Sequence, residues 1–516
     1  MYAALVSYLC AAIFVDAPED IPLALDRAER AVVAGANLIE WRLDAIAEAS
    51  DGVACITELP AKSPLPAIVT IRSEAEGGTW AGEEADRIAL IEAIGTSDSP
   101  PRYFDVELGS WNRSANLRQK VGLAIDHVAQ VRDLSAGLIL SSHDFAGRPN
   151  DLTSRYAAMA GVDACAVAKI VWGARTLRDN LEAFELLDNR AKPTIALLMG
   201  EFGLMSRVLA PKFGGFLTFA AVEEGAGTAP GQPTIGELKN IYRFDSINRE
   251  TQVYGVVGWP VAHSKGPAVH NAGFGAIGFN GVYLPLPVHP EWEQFKATML
   301  ALIEDPRLNF AGCSVTLPHK EHLVRLVEEE GGHVDPAAKR IGAANTLVVG
   351  EDGALACFNT DAPAVVETLG VSVEAKRVLI LGAGGVARAV LAGVLDAGAE
   401  VVLANRSLAR AEALAKVFQG TEVCAWDDVG TLQADIIINA TPVGMAGGPD
   451  PDSSPLAIDF VLNETHTVFD TVYTPEETPL IKRAKACGAH VICGSAMFQC
   501  QAARQFELWT GKSLPS

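Results

Sequence analysis

The chain has 516 residues, of which 49% are hydrophobic and 20% charged, and its formal net charge at pH 7 is −22. That length predicts two or three domains. The acidic balance argues against a general nucleic-acid or membrane-surface protein, so anionic ligands would need local groups of Arg and Lys. Nine cysteines without a CxxC pair are typical of a reduced compartment. The apolar stretch 3–15 is too short to span a membrane and lacks signal or transit features, which predicts a first buried strand in a cytoplasmic protein.

In the first half, short apolar runs alternate with longer amphipathic segments. The spacing predicts eight strands, at 5–14, 38–43, 67–72, 103–108, 137–142, 164–170, 194–199 and 215–220. Segments with helical spacing lie between them, as at 21–34, 86–94 and 177–187. Eight strands at this spacing predict a (β/α)₈ barrel.

Polar residues stand at the carboxyl ends of these predicted strands, where barrel enzymes keep their chemistry. They are Glu40, Arg42, Arg72, Glu107, His143, Lys169 and Arg207. Lys169 lies in the apolar segment ACAVAKIV, where a lysine either extends its ammonium to solvent or becomes a desolvated, nucleophilic amine. His143 lies in LILSSHDF and Glu76 ends TIRSEAE, so an amine, an imidazole and a carboxylate are expected at one barrel mouth.

The motifs of this half resemble those of type I 3-dehydroquinate dehydratases and occur in that family's order. They are EWRLD (40–44), TIRSEAEGG (70–78), SSHDF (141–145), AVAKIV (166–171), MSR (205–207) and APGQ (229–232). The resemblance implies that Lys169 forms an imine with the substrate's C3 ketone, that His143 is the general acid and base, and that Glu76 orients it. It further implies substrate contacts from Glu40, Arg42, Arg72, Arg207, Gln232 and Thr228, the last replacing the family's usual serine before APGQ.

The middle of the chain contains the predicted junction between two halves. Residues 225–236 are rich in Gly and Pro, and 235–242 have the spacing of a closing helix. The polar segment 243–252 is typical of a linker. The barrel is therefore expected over 1–242.

The segment VLILGAGGVARA, 378–389, has the order strand, glycine turn and helix that lets backbone N–H groups approach a pyrophosphate. The candidate cofactor residues at this turn are Gly382, Ala383, Gly384, Gly385, Val386 and Ala387. The next predicted strand, 400–404, is followed by Asn405, Arg406 and Ser407 instead of an acidic residue. A guanidinium suits a dianionic 2′-phosphate, which favours NADP over NAD, with a solvated loop charge as the alternative for Arg406.

Three further residues are typical, taken singly, of a surface lysine, a helix N-cap and a turn. They are Lys320 in SVTLPHK, Asp361 in CFNTD and Asn345 in GAANT. Together with the glycine turn and three later motifs, they resemble shikimate dehydrogenases over residues 253–512. Those motifs are NATPVGM (439–445), DTVYTP (470–475) and MFQCQAARQFELWTG (497–511).

This second resemblance implies that Lys320 and Asp361 form the catalytic pair. Lys320 would exchange a proton with the C3 oxygen while hydride passes between that carbon and the nicotinamide. The resemblance implies substrate contacts from Ser264, Gly266, Thr316, Asn345, Tyr473 and Gln501. It implies cofactor contacts from Asn405, Arg406, Ser407, Thr441, Gly494 and Met497.

The segment GWPVAHSKGPAVH, 258–270, first suggests a nucleophile with its base, but it resembles the substrate loop of the same family. That loop usually has two serines that donate hydrogen bonds to the substrate carboxylate. Ser264 matches the first, whereas Gly266 replaces the second. The missing hydroxyl opens space beside C1, where quinate carries an extra hydroxyl, so quinate is an alternative substrate. Two other departures, Ser314 for asparagine and Pro363 for glycine, remove no residue that carries the chemistry.

We therefore expect a barrel (1–242), a linker (243–252), an α/β substrate-binding domain (253–365 with a C-terminal helix at 495–512) and a Rossmann NADP domain (366–494). The resemblances imply two steps of the shikimate pathway, towards chorismate and the aromatic amino acids. A lyase would form 3-dehydroshikimate, and an NADP(H)-dependent oxidoreductase would reduce it to shikimate. The expected partners are small molecules, without a metal, nucleic acid or membrane, and the sequence predicts no oligomeric state.

An alternative from another class is a non-enzymatic regulator of quinate metabolism, which keeps such folds without their chemistry. The chain retains Lys169, His143, Lys320 and Asp361, and it has no added DNA-binding segment. These features favour the enzyme.

Overall fold

The alternating apolar runs of the first half form eight parallel strands in the computed structural model, which describes residues 7–48, 52–132, 136–227 and 229–515. The strands are β1 Tyr8–Phe14, β2 Leu38–Arg42, β3 Ala67–Thr70, β4 Tyr103–Glu107, β5 Gly137–Asp144, β6 Cys165–Gly173, β7 Thr194–Met199 and β8 Leu217–Ala220. Their order is β7-β6-β5-β4-β3-β2-β1-β8. The N–H of Phe216 donates to the carbonyl of Thr194 at 2.8 Å, which brings the two outer strands together and confirms the predicted barrel.

Helices follow the barrel strands in the expected alternation. They are α1 Ile21–Ala34, α2 Gly52–Lys62, α3 Glu84–Gly95, α4 Leu108–Arg113, α5 Ala115–Arg132, α6 Leu152–Ala160, α7 Asp179–Asp188 and α8 Leu204–Val208. Buried side chains from alternate strand positions, such as Ile68, Ile139 and Ile195, form one core. A helix lies where the closing helix was predicted, at 235–242, and its part Glu237–Ile241 is π-helical.

A second sheet mixes parallel and antiparallel pairs. Its strands are β9 Gln252–Gly258, β10 Gly281–Pro287, β11 Phe310–Val315, β12 His333–Val334, β13 Thr346–Val349 and β14 Leu355–Phe358. The order is β10-β9-β11-β13-β14-β12. The accompanying helices are α9 Gly266–Ala276, α10 Trp292–Glu304, α11 Lys320–Glu329, α12 Pro336–Ile341 and α13 Asp361–Leu369.

A third sheet is entirely parallel. Its strands are β15 Arg377–Leu381, β16 Glu400–Ala404, β17 Thr421–Cys424, β18 Ile436–Asn439, β19 Thr467–Asp470 and β20 His490–Ile492. Its helices are α14 Gly385–Asp396, α15 Leu408–Val417 and α16 Pro479–Ala486. The last helix, α17 Gly494–Thr510, follows β20 and contacts α9, α13, β11 and β13 of the second sheet and its helices. The order β17-β16-β15-β18-β19-β20 is that of a Rossmann sheet, with the crevice where the order reverses, at the carboxyl ends of β15 and β18.

The apolar run of β15 is explained by burial on both faces of this sheet. Val378 and Ile380 belong to the core on one face, and Leu379 and Leu381 belong to the core on the other. Such two-sided burial is typical of parallel strands covered by helices. The Rossmann prediction is confirmed.

By its internal contacts the chain divides into two compact units. One is Met1–Gln252 with Asn280–Pro287, and the other is Val253–Phe279 with Val288–Ser516. The finer boundaries expected from the sequence stay a prediction. Among the described residues, no helix is both long and apolar enough to cross a membrane.

Candidate active sites

Lys169 lies in the pocket at the carboxyl ends of the barrel strands. The residue is 4% exposed on β6, and its Nζ is 2.8 Å from Asp105 Oδ2 and 3.4 Å from Glu40 Oε1. Nζ also lies 4.4 Å from the centre of the Phe219 ring. The ammonium is desolvated and held by two carboxylates, so it does not extend to solvent.

Asp105 is a site residue that the sequence reasoning missed. It accepts a hydrogen bond from Ser141 Oγ at 2.6 Å and pairs with Arg72 Nη2 at 2.9 Å. Burial raises the pKa of a carboxyl, but the charges of Arg72 and Lys169 outweigh it and hold the pKa of Asp105 well below its ordinary value. The signal was present in the sequence, because Asp105 and Glu107 are two residues apart and therefore share one face of β4.

Glu76 and His143 form a carboxylate–imidazole pair in the same pocket. Glu76 Oε2 accepts from the backbone N–H of His143 at 3.0 Å and lies 2.9 Å from its Nδ1. Burial raises the pKa of Glu76 to about 7, whereas burial and the charges of Arg72 and Lys169 lower the pKa of His143 well below its ordinary value. Because an ionised carboxylate only accepts, Nδ1 carries the proton in the neutral ring and Nε2 is the basic nitrogen.

Arg207 is a buried guanidinium whose Nε has no acceptor among the described residues. It lies on α8 and is 2% exposed. Burial lowers the pKa of Arg207 to about 10. A buried charge without a partner is unfavourable, and a ligand carboxylate would supply both the opposite charge and the acceptors.

The structure brings the other predicted barrel residues into the same pocket. Those lining it include Glu40, Arg42, Arg72, Glu76, His143, Lys169, Arg207 and Gln232. Arg42 Nη2 donates to Asp44 Oδ2 at 2.6 Å, and Gln232 Oε1 accepts from the N–H of Ala229 at 3.2 Å. Thr228, predicted as a substrate contact, lies outside the described residues.

Lys320 and Asp361 form the centre of a second cluster. They begin α11 and α13, and Lys320 Nζ lies 2.6 Å from Asp361 Oδ2. Asn345 Nδ2 donates to the other oxygen of Asp361 at 2.9 Å. All three side chains are buried. A lysine paired with a carboxylate that is itself held by an amide is a proton donor of fixed position.

Neighbouring residues show how the local sequence builds this cluster. Asn359 Oδ1 accepts from the N–H groups of Asp361 and Ala362, each at 3.1 Å, so Asn359 caps the start of α13. This leaves both carboxylate oxygens of Asp361 for Lys320 and Asn345. On α17, Gln501 Oε1 accepts from Asn345 Nδ2 at 3.0 Å.

The remaining predicted substrate residues lie on three loops and at the first residue of α9. Ser264 Oγ accepts from the N–H of Gly266 at 3.1 Å, so the residue that replaces the second serine is bound to the first. Thr316 follows β11 and Tyr473 follows β19, where burial raises the pKa of Tyr473. Lys265 Nζ is 5.9 Å from the centre of the Tyr473 ring, so the loop before α9 approaches the loop after β19.

The glycine turn between β15 and α14 is built for close approach. Gly382 has φ +113°, and a Cβ there would lie 2.9 Å from Thr441 Cγ2. A Cβ at Gly384 would meet no atom within 4 Å, so the backbone is open on that side. A Cβ at Gly385, the first residue of α14, would lie 3.3 Å from Lys320 Cδ. The helix N-terminus, an anion-binding element, is therefore next to Lys320.

Arg406 lies in the loop after β16 with 64% of its side chain exposed. Its Nη1 is 3.6 Å from Asp450 Oδ2, a loose surface contact. Asn405 Nδ2 donates to the carbonyl of Ser407 at 2.9 Å, which shapes the loop. An exposed guanidinium at this strand end, together with the open glycine turn, fits the 2′-phosphate and pyrophosphate of NADP.

Other predicted cofactor residues shape the backbone and the packing. A Cβ at Gly494, the first residue of α17, would lie 2.5 Å from the carbonyl oxygen of Val472. Only glycine therefore fits at this position. Side chains that pack in or against the core of this domain are those of Ala383, Val386, Ala387 and Met497.

Asp470 is a second carboxylate that the sequence reasoning did not single out. Its Oδ1 accepts from Asn439 Nδ2 at 2.8 Å and from the N–H of Val472 at 3.0 Å, and its Oδ2 accepts from Thr478 Oγ1 at 2.6 Å. Burial raises the pKa of Asp470 to about 6. Asn439 Oδ1 in turn accepts from the N–H and Oγ1 of Thr441. This carboxylate joins the ends of β18 and β19 and orders the loops that follow them.

Three family models match successive parts of the chain. They describe a type I 3-dehydroquinase (residues 10–249), a shikimate dehydrogenase substrate binding domain (256–347) and a shikimate/quinate 5-dehydrogenase (364–444). A chloroplastic bifunctional 3-dehydroquinate dehydratase/shikimate dehydrogenase of Arabidopsis thaliana is 34% identical over 536 residues, which cover 99% of this chain and 83% of the relative. The chain belongs to this bifunctional family. The resemblance drawn from the sequence motifs is thereby confirmed.

The second half of this chain also resembles shikimate dehydrogenases that are separate proteins. A shikimate dehydrogenase (NADP(+)) of Methanocella arvoryzae is 41% identical over 271 residues, covering 51% of this chain and 94% of the relative. A solved shikimate 5-dehydrogenase of Thermus thermophilus in complex with NADP(H) and shikimate is 35% identical. The match covers 51% of this chain and 95% of the solved chain, with a TM-score of 0.45.

In the described parts of the chain, no group of three or more His, Cys, Asp or Glu side chains could hold a metal ion.

Proposed function

We propose that this chain carries out two consecutive reactions of the shikimate pathway. The barrel dehydrates 3-dehydroquinate to 3-dehydroshikimate through an imine on Lys169, and the second half reduces 3-dehydroshikimate to shikimate with NADPH. The first activity is supported by one pocket that holds the desolvated Lys169 and the His143–Glu76 pair. The second is supported by the buried Lys320–Asp361 pair next to the first turn of α14.

Lys169 is the nucleophile of the dehydration. Its neutral amine adds to the C3 ketone, and loss of water leaves a cationic imine that draws electrons from C2. Asp105 and Glu40 contact Nζ from two sides and hold it in the pocket. The low pKa of Asp105, which Arg72 and Lys169 maintain against burial, keeps a negative charge beside the nitrogen while the imine is cationic.

His143 transfers the proton in this reaction. Its Nε2 takes the proton from C2 and gives it to the hydroxyl that leaves C1 as water, while Glu76 holds the Nδ1–H tautomer. Arg207 binds the substrate carboxylate through its free Nε–H. Hydrolysis of the imine then releases 3-dehydroshikimate and restores Lys169.

In the second half, Lys320 protonates the C3 oxygen as the ketone is reduced. Asp361 accepts a hydrogen bond from the ammonium and Asn345 holds Asp361, so the proton donor keeps its place. NADP(H), when bound, supplies the hydride. The backbone of 382–385 would hold its pyrophosphate, and Arg406 would hold its 2′-phosphate.

Shikimate is the proposed acid of the second site, and the names of the matched relatives support it over quinate. The test uses separate assays of the purified protein. In one, 3-dehydroquinate is supplied with NADPH; in the others, shikimate or quinate is supplied with NADP⁺ or NAD⁺. We expect 3-dehydroshikimate and shikimate as products, and oxidation of shikimate with NADP⁺. Turnover of quinate but not of shikimate would contradict the proposed substrate. Absence of both 3-dehydroshikimate and shikimate from the reaction with 3-dehydroquinate would contradict the barrel activity.

We also propose a cytoplasmic location, with the small molecules named above as the partners. All nine cysteines are free, which suits a reducing compartment. Fractionation of the producing cells, with the two activities followed together, tests this location.

A further inference from the structure

Gln505 lies one helical turn after Gln501 on α17 and is buried beneath the dehydrogenase site, at 1% exposure. Its Oε1 accepts from Ser314 Oγ at 2.8 Å. Its Nε2 donates to the carbonyl oxygen of Asn345 at 3.0 Å and to Thr346 Oγ1 at 3.1 Å. The Nε2 and Oε1 atoms of Gln505 are therefore all hydrogen-bonded, and none of these bonds is to the side chain of Lys320 or Asp361.

These contacts fix how the amide of Asn345 is oriented. The Thr346 hydroxyl, which accepts from Gln505, donates to Asn345 Oδ1 at 3.0 Å. The N–H of Thr360 donates to the same oxygen at 2.8 Å. Since both neighbours donate, the oxygen of Asn345 faces them and Nδ2 faces Asp361 Oδ1.

The orientation of Asn345 reaches the proton donor through Asp361. One carboxylate oxygen accepts from Asn345 Nδ2 and the other pairs with Lys320 Nζ at 2.6 Å. If Asn345 turned, Asp361 would lose a donor, and its carboxylate would be free to rotate away from Lys320. The chain of contacts thus runs from α17 through Asn345 and Asp361 to Lys320.

Ser314 completes the arrangement from the opposite strand. Ser314 on β11 lies directly across from Thr346 on β13, and Gln505 contacts both residues of this antiparallel pair. Position 314 is also where the chain departs from the asparagine of the family motif. A serine hydroxyl buried here needs an acceptor, and Gln505 Oε1 provides one.

We propose that Gln505, with Ser314, is a positioning residue of the dehydrogenase site that holds the Asn345 amide so that Asp361 and Lys320 stay paired. The proposal rests on the proposed reduction of 3-dehydroshikimate at this site. It adds a residue that is outside the set assigned from the family motifs.

The test compares Gln505→Leu with Gln499→Leu, the same substitution at an exposed position of the same helix. For each, kcat and KM are measured for reduction of 3-dehydroshikimate with NADPH across a pH series. The Tm of each preparation and its KM for NADPH report whether the dehydrogenase half is folded, because the barrel belongs to a separate compact unit. We expect Gln505→Leu to lower kcat at least about tenfold, with a smaller change in KM and an altered pH profile of kcat. Gln499→Leu should match the wild type in all of these.

Two results overturn the proposal: an unchanged kcat in Gln505→Leu, or a loss confined to KM. If Gln505→Leu also lowers the Tm or raises KM for NADPH, the milder Ser314→Ala, which leaves both donors of Gln505 in place, decides the matter. A lowered kcat in Ser314→Ala with a wild-type Tm and KM for NADPH supports the proposal, and a wild-type kcat overturns it. A wild-type chain that does not reduce 3-dehydroshikimate contradicts the proposed function instead, before any variant is compared.

Discussion

Glu76 Oε2 contacts His143 twice, accepting from its backbone N–H at 3.0 Å and facing its Nδ1 at 2.9 Å. The pair therefore fixes both the position of the histidine backbone and the tautomer of its ring. Because burial raises the pKa of Glu76 to about 7, its charge is lost just below neutral pH. The lowered pKa of His143, due mainly to burial, keeps the imidazole neutral over the same range.

Dehydration is expected to slow as the pH falls through about 7, because protonated Glu76 no longer stabilises the imidazolium that forms at His143. Glu76→Gln keeps an acceptor but no charge, so its kcat at pH 8 should be about 10- to 100-fold below wild type and should not fall further near pH 7. A pH series of kcat measures this. Glu74→Gln, at a neighbouring exposed position, is the control and should retain the wild-type profile.

Lys169→Arg keeps a cation between Glu40 and Asp105 but cannot form an imine. It should abolish dehydration and leave reduction by the second half unchanged. Borohydride added with 3-dehydroquinate should fix a ligand-sized mass increase to the wild type but not to this variant. Lys320→Arg should still gain the mass. An adduct on Lys169→Arg would contradict the assignment of the nucleophile.

Arg207→Met removes a buried charge that no described carboxylate balances, since burial is the one cause that lowers its pKa, so the free protein should be as stable as the wild type or more stable. KM for 3-dehydroquinate should rise about 10- to 100-fold, because a charge-assisted hydrogen bond of about 1.5–3 kcal/mol is lost. The Tm and KM are measured on the same preparations.

The matched control is Arg87→Met, at another buried arginine. Arg87 Nη1 donates to Glu107 Oε1 at 2.8 Å, so its removal leaves a buried carboxylate without that partner. This variant should be destabilised by about 3–5 kcal/mol. If Arg207→Met lost as much stability as Arg87→Met, the inference that no group in the free protein balances the charge of Arg207 would be wrong.

Arg406→Ala tests the choice of cofactor. The guanidinium is exposed and its only described ion pair, to Asp450, is long at 3.6 Å, so the substitution should not affect folding. KM for NADPH should rise about tenfold while the activity with NADH is unchanged, because only NADPH carries the 2′-phosphate. Lys416→Ala, at an exposed position in the last turn of α15, should leave both values unchanged. Equal effects on both cofactors would exclude a 2′-phosphate contact.

Asp470→Asn tests the buried carboxylate in the Rossmann domain. Its pKa is raised by burial to about 6 in the folded protein, above the ordinary 3.8, so the folded state binds more protons between these values. Stability should therefore fall as the pH rises from about 4 to 6, by about 3 kcal/mol. The variant, whose amide retains an acceptor towards Val472, should lack this loss. Between pH 5 and pH 8, the Tm of the wild type should fall relative to the Tm of the variant. A Tm difference that stays constant over this range would contradict the raised pKa of Asp470.

Much of the architecture was predictable because it depends on short-range patterns. The eight apolar runs of the first half and the strand–glycine–helix order at 378–389 gave the right fold class. Some strand ends differ from the prediction. β5 continues to Asp144, beyond the predicted 142, because strand length depends on pairing with the neighbouring β6. A helix forms where it was predicted, at 235–242, but its hydrogen bonding over Glu237–Ile241 is π-helical, which the spacing did not indicate.

By itself, the sequence determined which chemical groups are available and which side of a strand they share, because periodicity and motif spacing are local properties. Only the tertiary structure decided which of these groups meet. Lys169 and Asp105 are 64 residues apart, and Asn345 and Gln505 are 160 apart, so no local pattern relates them. Whether a buried charge has a partner depends on contacts between distant elements. Asp105 is paired with charged neighbours, whereas the Nε of Arg207 has no acceptor among the described residues.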